Sequence, residues 1–526
     1  MSHHSLSKLS LSALVLPGLV LLALGSRLIL ADDLPAEKAS PRKSAKPVEP
    51  ATANPQAPGT SERWQVIFMG KSRVGYSRSS IETVQREGQP QRVAEAEAVL
   101  VINRFGQSIK MKTLFQTRET LEGQIQGFTF ELHNPPSAVN RTTGVVQGDK
   151  VLLETEIDGQ VTKAEKDWDP AIRGLAYQEL DLKQNPIGAG ETRTYTTYDP
   201  QFAKADVVTM KAGKLTPTKL LGSVEQELLP VSVARSVFPA VQSMEYLDAT
   251  GESRKSTMSL LSTTAYTVTK EEALKSLSGG EVDLGISTLV KLAQPLAKAQ
   301  STRKVVYKLT TEGVDPLTIL KAGPPQSVER LSDDSVKITV LSLREPPAAP
   351  ASIEAPAAEY LDANSFLQTA DKRVIEFANT AAGTETDPWK IAQAMEKWVA
   401  QNLKKKNFST LLASAGEVAR TLSGDCTEHA VLLAAMARVK QIPSRCVVGL
   451  VYVPRLNAFG GHMWTEVWIN GTWMPLDATL GLGYVAGEHI KFGESSFAGV
   501  GNAPLSEFVS MAIVLGSMQL EVLEAE

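Results

Sequence analysis

Ser423-Gly424-Asp425-Cys426-Thr427-Glu428-His429 leads into an apolar run from Ala430 to Val439. Asp425 and Glu428 stand three residues apart, the spacing of a capping box, so the run predicts a helix with Cys426 in its first turn. Unpaired backbone N–H groups and the helix dipole favour an anion there, which predicts a lowered thiol pKa and a nucleophilic thiolate. The helix should stop before Ile442-Pro443, after which Arg445 to Val453 (RCVVGLVYV) reads as a buried strand. By position alone, a cysteine at a helix start is more often a packing residue than a catalytic one.

The downstream sequence supplies possible partners. His462 to Ile469 alternates, Asn470-Gly471 offers a two-residue hairpin turn, and Thr472 to Asp477 returns. That turn sets Ile469 opposite Thr472 and Trp464 opposite Asp477. His462 and Trp464 share a face, so Asp477 lies diagonally from His462, about 7–8 Å away between backbones. Two side chains reaching toward each other close such a gap to a hydrogen bond, which orients a general base. A register slip of one residue would put them on opposite faces.

The run GDCTEHAVLLAAMARVKQIPSRCVVG, followed by GHMWTEVWINGTWMPLDAT, resembles the core of the transglutaminase-like domain, within the wider papain-like group of Cys-His-Asp acyl-transfer enzymes. The Gly-Asp-Cys helix start, Ile-Pro-x-Arg strand entry, His-x-Trp-x-Glu strand and Trp-x-Pro-x-Asp return occur in order across about Tyr360 to Gly483. The resemblance implies Cys426 as nucleophile, His462 as general base and Asp477 as the residue that orients it, with no cofactor and no metal. It also implies attack on a carboxamide or peptide carbonyl, the Cys426 backbone N–H as an oxyanion donor, and a thioester resolved by water or by a second amine. The second oxyanion donor is not assigned. His429 reads as structural, and Cys426, His429, Cys446 and His462 lack the usual ligand spacings of zinc.

Ahead of this core, Asp387 is a candidate N-cap and Pro388 suits the first helical position. Ile391, Met395, Trp398 and Val399 then form one apolar face. The Pro/Ala-rich stretch 345–358 reads as a linker. Residues 63–270 show period-two runs such as Val151, Leu153, Thr155 and Ile157, predicting a β-rich antiparallel region built as a sandwich or a curved sheet of short strands. Residues 271–344 read as a small mixed α/β module, with helical spacing from Ile286 to Ala299. Residues 359–526 form the transglutaminase-like domain, with strands Met511 to Leu515 and Met518 to Leu523 completing it. The expected class is α+β.

At the N-terminus, Lys8 precedes an apolar run from Leu9 to Gly25, with Ala23-Leu24-Gly25 as a cleavage pattern. Residues 1–31 are read as a signal peptide or a membrane anchor, and 32–62 as a disordered Pro/Ala-rich tether. The expected location is extracytoplasmic, periplasmic or secreted, with residues 9–31 a possible membrane tether. A net charge of −4 over 526 residues gives no reason to expect nucleic acid; the resemblance implies a protein or peptide substrate as the partner. The two cysteines, Cys426 and Cys446, cannot build a disulfide scaffold or a four-cysteine metal site. An oxidising compartment would permit one disulfide between them, silencing the nucleophile. The whole reads as an exported cysteine-dependent acyl-transfer enzyme, a protease or amidase or else a transglutaminase. The alternative is a non-catalytic binding or assembly protein on the same fold.

Overall fold

The computed structural model describes residues 61–526 apart from 105, 135–137, 240, 277–282, 353, 406–411, 500–510, 512–513 and 516. The signal or anchor expected at 1–31 and nearly all of the 32–62 tether lie outside these residues. Among the described residues, no helix is long and apolar enough to cross a membrane.

Alternation dominates the front of the chain, and its outcome is one antiparallel sheet of fifteen strands. The first eight, from Ser61–Met69 to Gln160–Asp167, each pair with the next. The opening strand also pairs with Thr263–Val268, in the register Trp64↔Val268, and through it the strands back to Thr192–Asp199 join the sheet. Val151, Leu153, Thr155 and Ile157 point inward along Lys150–Ile157, while residues between them are exposed. Several strands are longer than the short runs expected, with Ser72–Arg86 spanning 15 residues and Gln89–Arg104 spanning 16.

Among the described residues strands outweigh helices, 47% against 20%, a more β-rich outcome than the α+β expectation implied. One reason lies between Ile286 and Ala299, where a helix was expected. The helix covers only Leu284–Ser287, and Val290–Lys291 becomes a short strand against Ala458 and Phe459. Pro295 has no N–H to continue a helix, and Val290 is buried in the pairing.

The middle strands Lys304–Thr310, Gln326–Arg330 and Ser335–Leu341 form a second sheet. Its fourth strand is Gln519–Ala525, which pairs with Lys304–Thr310 and not with the back domain it was expected to complete.

Among the described residues, the back of the chain sets four helices beside a five-stranded sheet, one strand of which is the distant Val290–Lys291. Pro388–Asn402 starts as expected, with the Asp387 carboxylate accepting from the N–H groups of Trp389 and Lys390. Cys426–Val439 is buried on every side, as an apolar helix must be when it is enclosed by its own domain. Ser444–Val453 is central, flanked by Ala458–Ile469 and His489–Ser495. The halves are not independent: Ile157 of the front sheet is buried in the core of the back helices. The adjacent Asp158 carboxylate pairs with Arg420 and accepts from the Ser414 hydroxyl.

Candidate active site

The helix bearing Cys426 is held at its start by both halves of the capping box. Asp425 Oδ1 accepts from the Thr427 N–H at 3.0 Å, and Glu428 Oε2 accepts from the Asp425 N–H at 2.8 Å. Glu428 Oε1 also accepts from the Ala413 N–H at 3.1 Å, tying the cap to the chain before it. His429 donates Nδ1–H to the Asp425 carbonyl at 2.6 Å. That contact anchors the ring to the first turn, in keeping with a structural role.

The hairpin has the register its turn requires. Asn470 and Gly471 both take positive φ, 51° and 81°, as a type I′ turn demands. Ile469 pairs with Thr472 and Thr465 with Leu476, so the strand end carries Asp477 toward His462. His462 Nε2 lies 2.8 Å from Asp477 Oδ2, with both side chains fully buried. Burial alone would raise the Asp477 pKa, but His462 and His489 beside it more than offset that, holding the carboxyl well below its usual range. A charged carboxylate only accepts, so His462 carries its proton on Nε2. Its Nδ1 is then a lone-pair nitrogen, buried and with no hydrogen-bond partner among the described residues. The Met463 N–H, one residue beyond His462, approaches the Cys426 sulfur.

The thiol departs from expectation. Cys426 is only 1% exposed, and burial pushes its pKa well above that of free cysteine. The carboxylates of Asp425 and Glu428 push the same way. The Met463 N–H and the Arg104 guanidinium oppose them and do not win. A first-turn position contributes partial charge, but desolvation of a thiolate outweighs it here. Cys446 is also buried, with its thiol raised to about 12. Both cysteines are free thiols.

Four residues near the site did not emerge from the sequence. His489 places Nε2 3.1 Å from the same Asp477 Oδ2 that His462 uses. Glu396 accepts from the Asp477 N–H at 3.1 Å and the Gly483 N–H at 2.7 Å. Its pKa is raised to about 8 by burial and by the Asp477 charge. Arg104, from the front sheet, sits 3.5 Å from Asp425 Oδ2. Gly449 lies directly across from His462, and a Cβ there would fall 2.0 Å from the Ile490 carbonyl oxygen and 2.7 Å from the Trp464 ring. Glu396 left a readable signal, a carboxylate between Met395 and Val399 on an apolar helix face. Arg104 and Gly449 left none, because long-range pairing places them.

The remaining motif residues hold the scaffold. Glu466 accepts from Arg445 Nε at 2.7 Å and from Lys491 Nζ at 2.9 Å. The Trp473 ring carries the Arg445 guanidinium 4.1 Å from its centre. The ligand-type atoms of His462, Asp477 and His489 lie within 4.8 Å of one another. Both Nε2 atoms are hydrogen-bonded to the single Asp477 oxygen, so the trio is a hydrogen-bonded array.

Residues 375–478 match the Transglutaminase-like superfamily, and the chain carries a transglutaminase-like domain there. The matched segment contains Cys426, His462 and Asp477 but neither Arg104 nor His489. An uncharacterized protein of Haemophilus influenzae is 34% identical over 97 residues, which are 18% of this chain and 26% of that protein. The chain thus spans about a quarter of this relative's length. Among solved structures, a candidate cysteine protease from Cytophaga hutchinsonii shares 14% identity, covering 43% of this chain and 85% of its own, with a TM-score of 0.26. A β-barrel-like protein of a domain of unknown function from Brucella abortus shares 12% identity, covering 39% and 93%, with a TM-score of 0.29. Likenesses this distant define neither the fold nor the activity of the chain.

Proposed function

We propose that the protein is a cysteine-dependent acyl-transfer enzyme acting on a carboxamide or peptide carbonyl through a thioester at Cys426. The observation that carries this reading is the buried His462–Asp477 hydrogen bond. It leaves His462 Nδ1 bare, on the strand whose next N–H meets the nucleophile's sulfur. The raised thiol makes the resting group neutral, so deprotonation accompanies attack. His462 Nδ1 takes the thiol proton while sulfur bonds to the carbonyl carbon, and Asp477 stabilises the imidazolium. The Cys426 N–H, at the first helical position, supports the oxyanion. Collapse expels the amine, which takes its proton from His462, and leaves the thioester. Water or a second amine then attacks, gives its proton to His462, and releases the thiolate, which is reprotonated.

Mass spectrometry of the protein incubated with casein or cell-wall peptides tests this directly. An acyl adduct on Cys426, with release of ammonia or amine, is expected, and neither should occur in Cys426→Ala. Adding a labelled primary amine separates the two outcomes: incorporation into the acyl product means transamidation, and a free acid means hydrolysis.

A second reading is a non-catalytic binding or assembly protein on this fold, favoured by the burial of Cys426. Absence of any Cys426-dependent adduct or product would establish it. Export, in either case, is supported by the apolar run Leu9 to Gly25 and is tested by cell fractionation with N-terminal sequencing.

A further inference from the structure

His489 lies twelve residues beyond Asp477 and outside the matched segment 375–478. It opens the strand His489–Ser495, which pairs with Ser444–Val453 and shifts register between Val448 and Gly449. The absence of a side chain at Gly449 lets that strand and the Trp464 ring close in. The result is specific. Asp477 Oδ2 faces two imidazoles, His462 Nε2 at 2.8 Å and His489 Nε2 at 3.1 Å, and Oδ1 accepts from the Thr479 N–H at 2.9 Å. The His489 ring meets the Trp464 ring edge-on at 5.2 Å, and Trp464 stacks on His462 at 6.2 Å. His489 is therefore fixed by the same ring that walls the base. Its other nitrogen lies 3.7 Å from Glu488 Oε1, a carboxylate buried to 1% exposure. Arg344 and Tyr307 also interact electrostatically with Glu488, and Glu396 accepts from the Asp477 N–H.

From this arrangement we propose that His489 is a positioning residue for the base: its Nε2–H pins Asp477 Oδ2 in line with His462, so that His462 stays protonated on Nε2 and bare on Nδ1. In a buried site a carboxylate held by a single imidazole donor is freer to turn, and each turn weakens the bond that selects the tautomer of His462. A second donor on the same oxygen, with Thr479 on the other, removes that freedom. The proposal deepens the acyl-transfer reading and rests on it for the effect on rate, though not for the effect on His462.

The test uses the full chain with His489→Leu, which removes the donor, and His489→Gln, whose amide N–H reaches about as far as Nε2. Cys426-dependent amine release should fall roughly 10- to 100-fold in kcat for Leu, the usual range for outer partners of site residues. KM should hold, and Gln should recover most of the loss. The second readout needs no substrate. The chain has six histidines, so spectra of 15N-histidine-labelled protein are sparse, and His462→Ala assigns the key signals. His462 should show the Nε2–H tautomer in the wild type and in His489→Gln, and a tautomer mixture in His489→Leu. If Leu does not fold, Asn replaces it, being too short to reach Asp477.

An unchanged His462 tautomer in the donor-less variant overturns the proposal, as does a kcat within twofold of wild type. If the wild type turns over no substrate while the tautomer still responds to His489, the acyl-transfer reading fails and the positioning role stands.

Discussion

Arg104, at the end of a strand in the front sheet, places its guanidinium 3.5 Å from Asp425, the N-cap of the helix that carries Cys426. Both side chains are 2% exposed. A charge from the front of the chain thus faces the cap beside Cys426 in the back, and the front sheet is part of the electrostatic setting of the site. Removing one member of a buried pair leaves the other charge uncompensated. Arg104→Met should therefore cost about 3 kcal/mol in urea unfolding. It should also raise the Cys426 pKa further, since Arg104 is one of the groups that lowers it.

The buried thiol makes a prediction opposite to that of an activated thiolate. Alkylation of the wild type by iodoacetamide should be slow near neutral pH and should reach its plateau only above the range in which free cysteine, near about 8.5, titrates. A plateau at pH 6–7 would show that the site opens and that the helix start governs the thiol after all.

Asp477→Asn presents an amide N–H to His462 Nε2 and forces the imidazole proton onto Nδ1. A loss of about 10⁴-fold in kcat is expected, the size seen when a triad histidine takes the wrong tautomer. The measurement is the steady-state rate of amine release, with circular dichroism to verify the fold.

Stability should fall on the alkaline side. Burial raises Glu119 and Glu245 to about 7, and burial with the Asp477 charge raises Glu396 to about 8. Each binds its proton more tightly folded than unfolded. Their contribution is complete below the ordinary carboxylate value of 4.5 and is lost as pH rises through about 7 to 8. Urea midpoints should decline from pH 6 to 9. Glu396→Gln should lower the midpoint at pH 6 by leaving a backbone N–H poorly paired, yet reduce the decline.

Gly449→Ala tests the close approach behind the site. The added methyl would sit 2.0 Å from the Ile490 carbonyl oxygen, and backbone cannot yield as a flexible side chain does. A destabilisation of about 2 kcal/mol or more is expected, measured by urea unfolding.

The capping box, the Pro388 helix start and the hairpin register were legible because each is set within a few residues. Asp425 reaches Glu428, and a two-residue turn fixes His462 against Asp477. The same reading missed the burial of the Cys426 thiol, because neighbours far along the chain desolvate it. Glu396 was visible as a misplaced carboxylate but reads as noise until Asp477 is found above it. His489 and Arg104 carry no local pattern; a strand beyond the hairpin and a distant sheet deliver them. The helix expected from Ile286 failed for the converse reason, since tertiary pairing at Val290 overrode local spacing.

The seam between Ser61–Met69 and Thr263–Val268 has a consequence for how the protein is made. Trp64 and its partner Val268 emerge about 200 residues apart, a delay of roughly 10–40 s at ordinary synthesis rates. Over that interval the first strand is hydrogen-bonded on one side only, and its other edge is open to any strand that reaches it. The eight leading strands form a run of neighbouring hairpins, while the seam has to wait for a distant segment. Within the front sheet, co-translational misassembly is thus concentrated at this one edge, and chaperone protection of that sheet during biosynthesis would matter most there.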